Sequence, residues 1–149
     1  MNDDRLKEMI VRLLAEQKLG VLATHMDGQP HNTLVAFAHT RDLRNILFAT
    51  TKSTRKYDNL MSDNRASFLV DNRTNDEIDF KNTVVVSTNG TCHVLLDAER
   101  DSLKKFFLQK HPYLEEFLDS PDCALFAMHV EKYIIVTRFQ NVMELHLEK

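Results

Sequence analysis

Seven consecutive residues, Thr50-Thr51-Lys52-Ser53-Thr54-Arg55-Lys56, bring four hydroxyls and three cations into one short stretch. Either Ser53 or Thr54 is placed to cap a helix that follows, whose first N–H groups have no partner within the helix. Such a terminus carries partial positive charge and takes up an anion directly. Arg55 adds a planar fork that grips two oxygens at once, and Lys56 adds a compact charge. The ligand that suits this set is a dianionic phosphate monoester. The competing reading is a capped, solvated helix start with surface cations. Placement separates the two, because the cluster follows an apolar strand in a chain of net charge −3. A local gathering of cations there is poorly explained by general solubility.

The other reactive side chains are dispersed. Seven histidines include no pair at the spacing of a helical metal site, so no metal centre is expected. His31 reads either as a ligand contact or as an exposed residue at a strand start, and His93 and His129 as structural residues of apolar strands. Cys92 and Cys123 sit alone in apolar stretches without CxxC spacing, and read as two reduced core thiols. No acid–base dyad stands out, and the catalytic residues are left unassigned.

The elements that must position the cluster follow from periodicity. Leu6, Met9, Ile10, Leu13 and Leu14 form one stripe at helical spacing, predicting a helix over about residues 4–17 capped by Asp3 or Asp4. Residues 19–24 read as a strand, Asp27-Gly28 as a hairpin turn, and 31–39 as a second strand after Pro30. Thr33, Val35 and Phe37 should face one side, and Asn32, Leu34 and Ala36 the other. A third strand is expected over 45–51, then a short helix over 54–61 carrying Tyr57, Leu60 and Met61 inward. A fourth strand follows over 65–71, then a polar irregular loop over 72–82. A fifth runs through 83–87 and 91–96, with a bend or bulge at Gly90. A helix opening at Asp97 or Ala98 carries Leu103, Phe106, Phe107 and the Lys110 stem. After Pro112 comes a short turn with Leu114, Phe117 and Leu118. Strands over 124–139 and 142–147 close the chain, with Gln140-Asn141 between them. The strands are mostly consecutive, and βα alternation is missing. The expected fold is mainly β: one domain over 1–149, a mostly antiparallel split barrel of six to seven strands with flanking helices.

Bulk properties limit the function classes. With 43% hydrophobic and 28% charged residues, the composition is that of an ordinary globular protein. The acidic balance and the lack of a recognition motif argue against nucleic acid. No apolar run approaches the ~20 residues that span a bilayer, and the acidic start is unlike a targeting peptide. A cytoplasmic protein without a membrane partner is expected.

Several segments in order resemble a known family: Val21-Leu22-Ala23-Thr24, Asp27-Gly28-Gln29-Pro30-His31, Ile46-Leu47-Phe48-Ala49-Thr50, Thr54-Arg55-Lys56-Tyr57-Asp58-Asn59-Leu60 and Asn64-Arg65-Ala66-Ser67-Phe68. Together they resemble the pyridoxamine 5′-phosphate oxidase-like, FMN-binding split-barrel family. The resemblance covers residues 18–73 and continues in outline beyond them. It implies that Thr54, Arg55 and Lys56, with Ser53 nearby, hold the phosphate of FMN. It implies that Thr50 and Thr51 approach the phosphate or ribityl chain. The second strand, His31, Asn32, Thr33, Leu34 and Val35, then lies along the ring edge. It further implies a homodimer with two sites at the subunit interface, which Asn72 and Arg73 reach from either subunit. The implied activity is that of an FMN-dependent oxidoreductase, such as a flavin reductase or a reductase of an unknown small molecule. Its electron donor would be NAD(P)H or the like. The ending Thr137-Arg138-Phe139-Gln140-Asn141-Val142 lacks the Arg/His segment the family's namesake uses for its substrate phosphate, so vitamin B6 oxidation is not implied. Other readings within the same fold are an FMN carrier or electron-transfer module, a haem-binding relative with His31 as first candidate ligand, and a deazaflavin user.

Overall fold

The computed structural model describes residues 1–148. Its elements in chain order are α1 (Asp3–Glu16), β1 (Leu19–Met26), β2 (Gln29–His39), β3 (Asn45–Thr51), α2 (Arg55–Ser62), β4 (Arg65–Asp71), α3 (Asp79–Asn82), β5 (Val84–Val94), α4 (Asp97–Lys110), α5 (Glu115–Asp119), β6 (Cys123–Thr137) and β7 (Asn141–His146). A 3-10 turn, Pro112–Leu114, links α4 to α5. The strands run in the order β3-β2-β1-β4-β5-β6-β7, and β3 pairs again with β6. Every pairing is antiparallel. Six strands therefore close into a barrel and β7 adds to its outside, the mainly β architecture expected from the alternation pattern.

The interior follows from period-two alternation. Leu22 of β1, Val35 and Phe37 of β2, Phe68 and Val70 of β4, Val86 of β5 and Tyr133 of β6 are all buried. Phe37 meets Phe68 edge-on at 4.9 Å, and Phe48 stacks on Phe126 at 5.2 Å. Helix α1 buries Leu6, Ile10, Leu13 and Leu14 against this core. Its cap is Asn2, whose Oδ1 accepts the Arg5 N–H at 3.0 Å, and neither Asp3 nor Asp4 takes that place. Both acids sit instead in the first turn, where they favour the helix dipole.

Barrel curvature has a glycine origin. The β5–β6 register shifts between Thr88 and Gly90, and a Cβ on Gly90 would lie 2.1 Å from the His129 carbonyl oxygen. Only glycine permits that approach. At the β1–β2 hairpin, Asp27 and Gly28 both have positive φ, 50° and 84°, as the tight turn requires.

Four local expectations need correction. The 72–82 segment is not wholly irregular: Asp79 accepts N–H bonds from Thr74 and Asn75 and opens the single turn α3. These bonds lower its carboxyl to about 2. β6 ends at Thr137, because Arg138 and Phe139 adopt positive φ and make the turn into β7. Met61 does not point inward; it is 52% exposed, and Asn59 is buried beside Leu60 in its stead. His93 and His129 are exposed on the outer faces of their strands, with His93 bonded to Glu99. Cys92 and Cys123 are both buried free thiols, and burial pushes Cys92 up to about 12. Among the described residues, no helix is long and apolar enough to cross a membrane.

Candidate functional site

The turn between β3 and α2 is built by its own hydroxyls. Thr54 caps α2, its Oγ1 accepting the Tyr57 N–H at 3.3 Å. Thr50 Oγ1 and Thr54 Oγ1 lie 2.7 Å apart, and Thr54 Oγ1 is 3.1 Å from the Thr51 carbonyl. The Thr50 hydroxyl also lies 3.1 Å from the Thr51 carbonyl, so that carbonyl accepts from one of the two hydroxyls while the other hydroxyl can close the contact between them. Thr50 is only 2% exposed. Both hydroxyls are thereby committed to shaping the turn. The backbone adds Lys52 N–H donating to Asp122 O at 2.8 Å, which ties the turn to the start of β6.

What faces outward is a different subset. Thr51 and Ser53 share a hydroxyl contact at 3.2 Å on the exposed side, and Lys52 and Arg55 are exposed. Arg55 and Lys56 occupy the first two positions of α2, whose N–H groups no intrahelical carbonyl reaches. Lys56 is half-buried, and burial lowers its ammonium below the usual lysine value. No carboxylate pairs with it among the described residues. A partly desolvated cation beside unpaired N–H groups is an arrangement that an anion would satisfy.

Helix α2 holds this geometry through buried contacts. Tyr57 packs edge-on to Phe126 at 6.1 Å, and Leu60 enters the core. Asn59 is 1% exposed and donates from Nδ2 to Thr24 Oγ1 of β1 at 3.0 Å. At the far end Asp63 binds Arg65 at 2.7 Å and His25 at 3.0 Å. Arg65 holds the Asp63 carboxyl well below the usual range. Sequence reasoning overlooked Asn59, whose signal was a polar residue beside Leu60 on the inward side of a short helix.

The split in the barrel lies beside this turn. β2 pairs with β3 only from Phe37↔Phe48 to His39↔Ile46. Toward its start, β2 stays on β1, with Thr24↔His31, Leu22↔Thr33 and Gly20↔Val35, while β3 stays on β6 as far as Thr51↔Cys123. The two strands part, leaving His31, Asn32, Thr33, Leu34 and Val35 on one lip and the end of β3 on the other. The His31–Val35 strand and the end of β3 that leads into the Thr50–Lys56 turn are thus the two sides of the split. Along β2, Val35 faces the core while Leu34 is exposed, and the Thr33 hydroxyl donates to Leu34 O at 3.2 Å.

Asn72 and Arg73 are placed elsewhere. β4 meets β1 at Ala23↔Ser67 and Val21↔Leu69, so residues after Asp71 lie beyond the start of β1, at the opposite end from His31. Asn72 accepts the Val84 N–H at 2.8 Å and borders α1, and Arg73 pairs with Asp71 at 3.1 Å. Within one chain neither reaches the cradle. A groove of 590 Å³ crosses β1, β4 and β5, lined by Ala23, Ser67, Asn89 and Gly90 among others; the cradle residues do not line it.

A family model described as pyridoxamine 5′-phosphate oxidase matches residues 6–137. The chain belongs to that family. Its backbone is similar to a haem-binding protein from Mycobacterium smegmatis, with a TM-score of 0.82 at 16% identity over 94% of this chain and 57% of that one. It is also similar to a protein from Clostridium acetobutylicum related to general stress protein 26, of the pyridoxinephosphate oxidase family. There the TM-score is 0.73 at 18% identity, covering 98% of this chain and 97% of the other. A FAD-binding protein from Mesorhizobium loti aligns with a TM-score of 0.68 at 15% identity, over 86% of this chain and 91% of the other. No curated protein matches the chain. At these identities the likeness establishes the fold.

Proposed function

We propose that the chain is an FMN-binding flavoprotein, an oxidoreductase acting on a small molecule with a donor such as NAD(P)H, working as a homodimer in the cytoplasm. The observation that carries this is the half-buried Lys56 beside Arg55 at the open start of α2, without a carboxylate partner among the described residues. A phosphate monoester satisfies both the cations and the unpaired N–H groups of residues 55 and 56. Ser53, Thr51 and Lys52 complete the outward set, and Thr50 and Thr54 act as positioning residues. The open edge of β2 from His31 to Val35 offers alternate backbone donors and acceptors to the heterocycle. When bound, FMN supplies the redox chemistry, and the protein holds and polarises it.

The outer face of the sheet supports the dimer. Register aligns Leu34, Val21, Leu69, Ser87 and Ile134 in one row across five strands. A second row places Val85, Val136 and Val142 together. Leu34 is 67% exposed and Leu19 55%. An apolar stripe of this kind on a sheet is suited to a second copy, which would also bring another Asn72 and Arg73 within range of the split.

The test is flavin titration of the R55A/K56A double variant. FMN affinity should fall about 100-fold, from loss of two charge-assisted contacts, while riboflavin, lacking phosphate, binds as before. Equal losses for both ligands would move the phosphate site elsewhere. Sedimentation should show a dimer, and Leu34→Glu a monomer. The likeness to a haem-binding protein motivates one second reading, haem at the split with His31 as ligand. A Soret band on haem addition that disappears in His31→Ala, with no flavin uptake, would replace the first reading by this one.

A further inference from the structure

At the other end of β3, a cleft of 320 Å³ lies between the β2–β3 turn and the end of α4, lined by Ala38, His39, Arg41, Phe106, Gln109 and Lys110. We propose that this cleft is a second anion site, which takes a small carboxylate or phosphate group carried on a compact apolar body.

The cations come from two distant segments, Arg41 exposed on the β2–β3 turn and Lys110 at the end of α4. The β2–β3 turn is rigid: the Thr40 hydroxyl donates to Asp42 Oδ1 at 2.6 Å, and Arg44 and Asn45 N–H groups bond Asp42 and Thr40. Asp42 is the carboxylate closest in sequence to Arg41, and its bonds go to Thr40 and Arg44. Lys110 Nζ donates to the Leu14 carbonyl at 2.7 Å, near the end of α1, and sits 3.7 Å from the centre of the Phe37 ring. That uses one of its three N–H donors on a carbonyl. Neither Arg41 nor Lys110 forms an ion pair among the described residues.

The two imidazoles beside Lys110 are held neutral. Burial chiefly disfavours the imidazolium of His39 and His111, and Lys110, joined at His111 by Lys18, adds to that effect. His39 Nδ1 is 2.9 Å from the Thr40 carbonyl, so that nitrogen carries the proton and Nε2 the lone pair. His111 is fully buried and gives its Nε2 proton to Phe37 O at 2.7 Å, which fixes the end of α4 against β2. Burial pushes the Lys110 ammonium down to about 8. An anion in the cleft would relieve that desolvation, and Phe106 and Ala38 would contact its apolar body. The site is independent of the flavin reading.

The probes are benzoate, phenyl phosphate and neutral benzamide, titrated into the full chain and followed by backbone amide shifts. At least one of the two anions should give saturable shifts at Ala38, His39, Arg41 and Lys110, and benzamide none. Which anion binds more tightly separates a carboxylate from a phosphate ligand. Arg41→Gln, an exposed change, should weaken binding about tenfold, the loss of one charge-assisted contact. Affinity should fall as pH rises through 8 with deprotonation of Lys110, and Lys110→Met should abolish that dependence. FMN affinity should be unchanged in both variants. Benzamide binding as well as the anions, shifts confined to residues 51–56, or full affinity in Arg41→Gln would each overturn the proposal.

Discussion

The two ends of β3 carry cations in opposite ways. At the Thr51 end, Lys52, Arg55 and Lys56 arrive within one turn of chain and are arranged by neighbouring hydroxyls. At the Asn45 end, Arg41 and Lys110 come from segments remote in sequence and line one cleft because α4 packs on β2. The strand itself separates them by about 20 Å, at ~3.3 Å per residue. The first kind of site depends on a helix cap, and the second on tertiary packing. Each should therefore fail for its own reason.

The sharpest break is to cross the two double variants. R55A/K56A should lose FMN about 100-fold, and R41Q/K110M should lose the small anion at least about tenfold. Each should leave the other ligand within a factor of about two, since sites this far apart behave additively. Cross-talk larger than that, seen by titrating both ligands into both variants, would make them one extended site.

Asn59→Leu tests how α2 is held. It strands the buried Thr24 hydroxyl and should cost about 1–3 kcal/mol in chemical denaturation, with FMN affinity reduced as the helix start shifts. Thr54→Val removes the cap and the hydroxyl contact with Thr50, at about 1–2 kcal/mol, and Thr54→Ser should restore most of it. A Thr54→Val protein with unchanged flavin affinity would show that the turn keeps its shape without the cap.

A further test is a pH dependence at the other end. Lys110 falls from 10.5 to about 8 on folding. Between those values the unfolded chain binds the extra proton, so raising the pH favours the folded form. The stability of wild type relative to Lys110→Met should therefore increase from pH 8 to 10.5. The comparison with the variant removes the opposing contributions of Cys92 and Tyr133, whose values burial raises. A flat difference would mean Lys110 is solvated and the cleft open.

Much of this was legible beforehand because the signals were local. Strand alternation, the Asp27-Gly28 turn, the Gly90 bulge and the cap before Arg55 are each properties of a few adjacent residues. Errors arose where a distant element decided. Met61 and Asn59 exchanged places because β1 offers Thr24 as a buried partner for the amide. His93 and His129 sit in apolar runs yet face outward, as strand register alone decides which side of an alternating pair is buried. Asn72 and Arg73 follow the fourth strand as expected, yet β4 carries them to the end of the sheet opposite His31.

By itself, then, the sequence determined the mainly β class, the succession of strands along the chain and the hydroxyl- and cation-rich turn before α2, since periodicity and capping act over a few residues. Only the tertiary structure decided that β2 and β3 part beside that turn, that Thr50 and Thr54 spend their hydroxyls on shaping it, and that Arg41 and Lys110 line one cleft. Those facts depend on barrel closure through β3–β6 pairing and on α4 docking. Contacts between residues so far apart in the chain leave no local pattern to read.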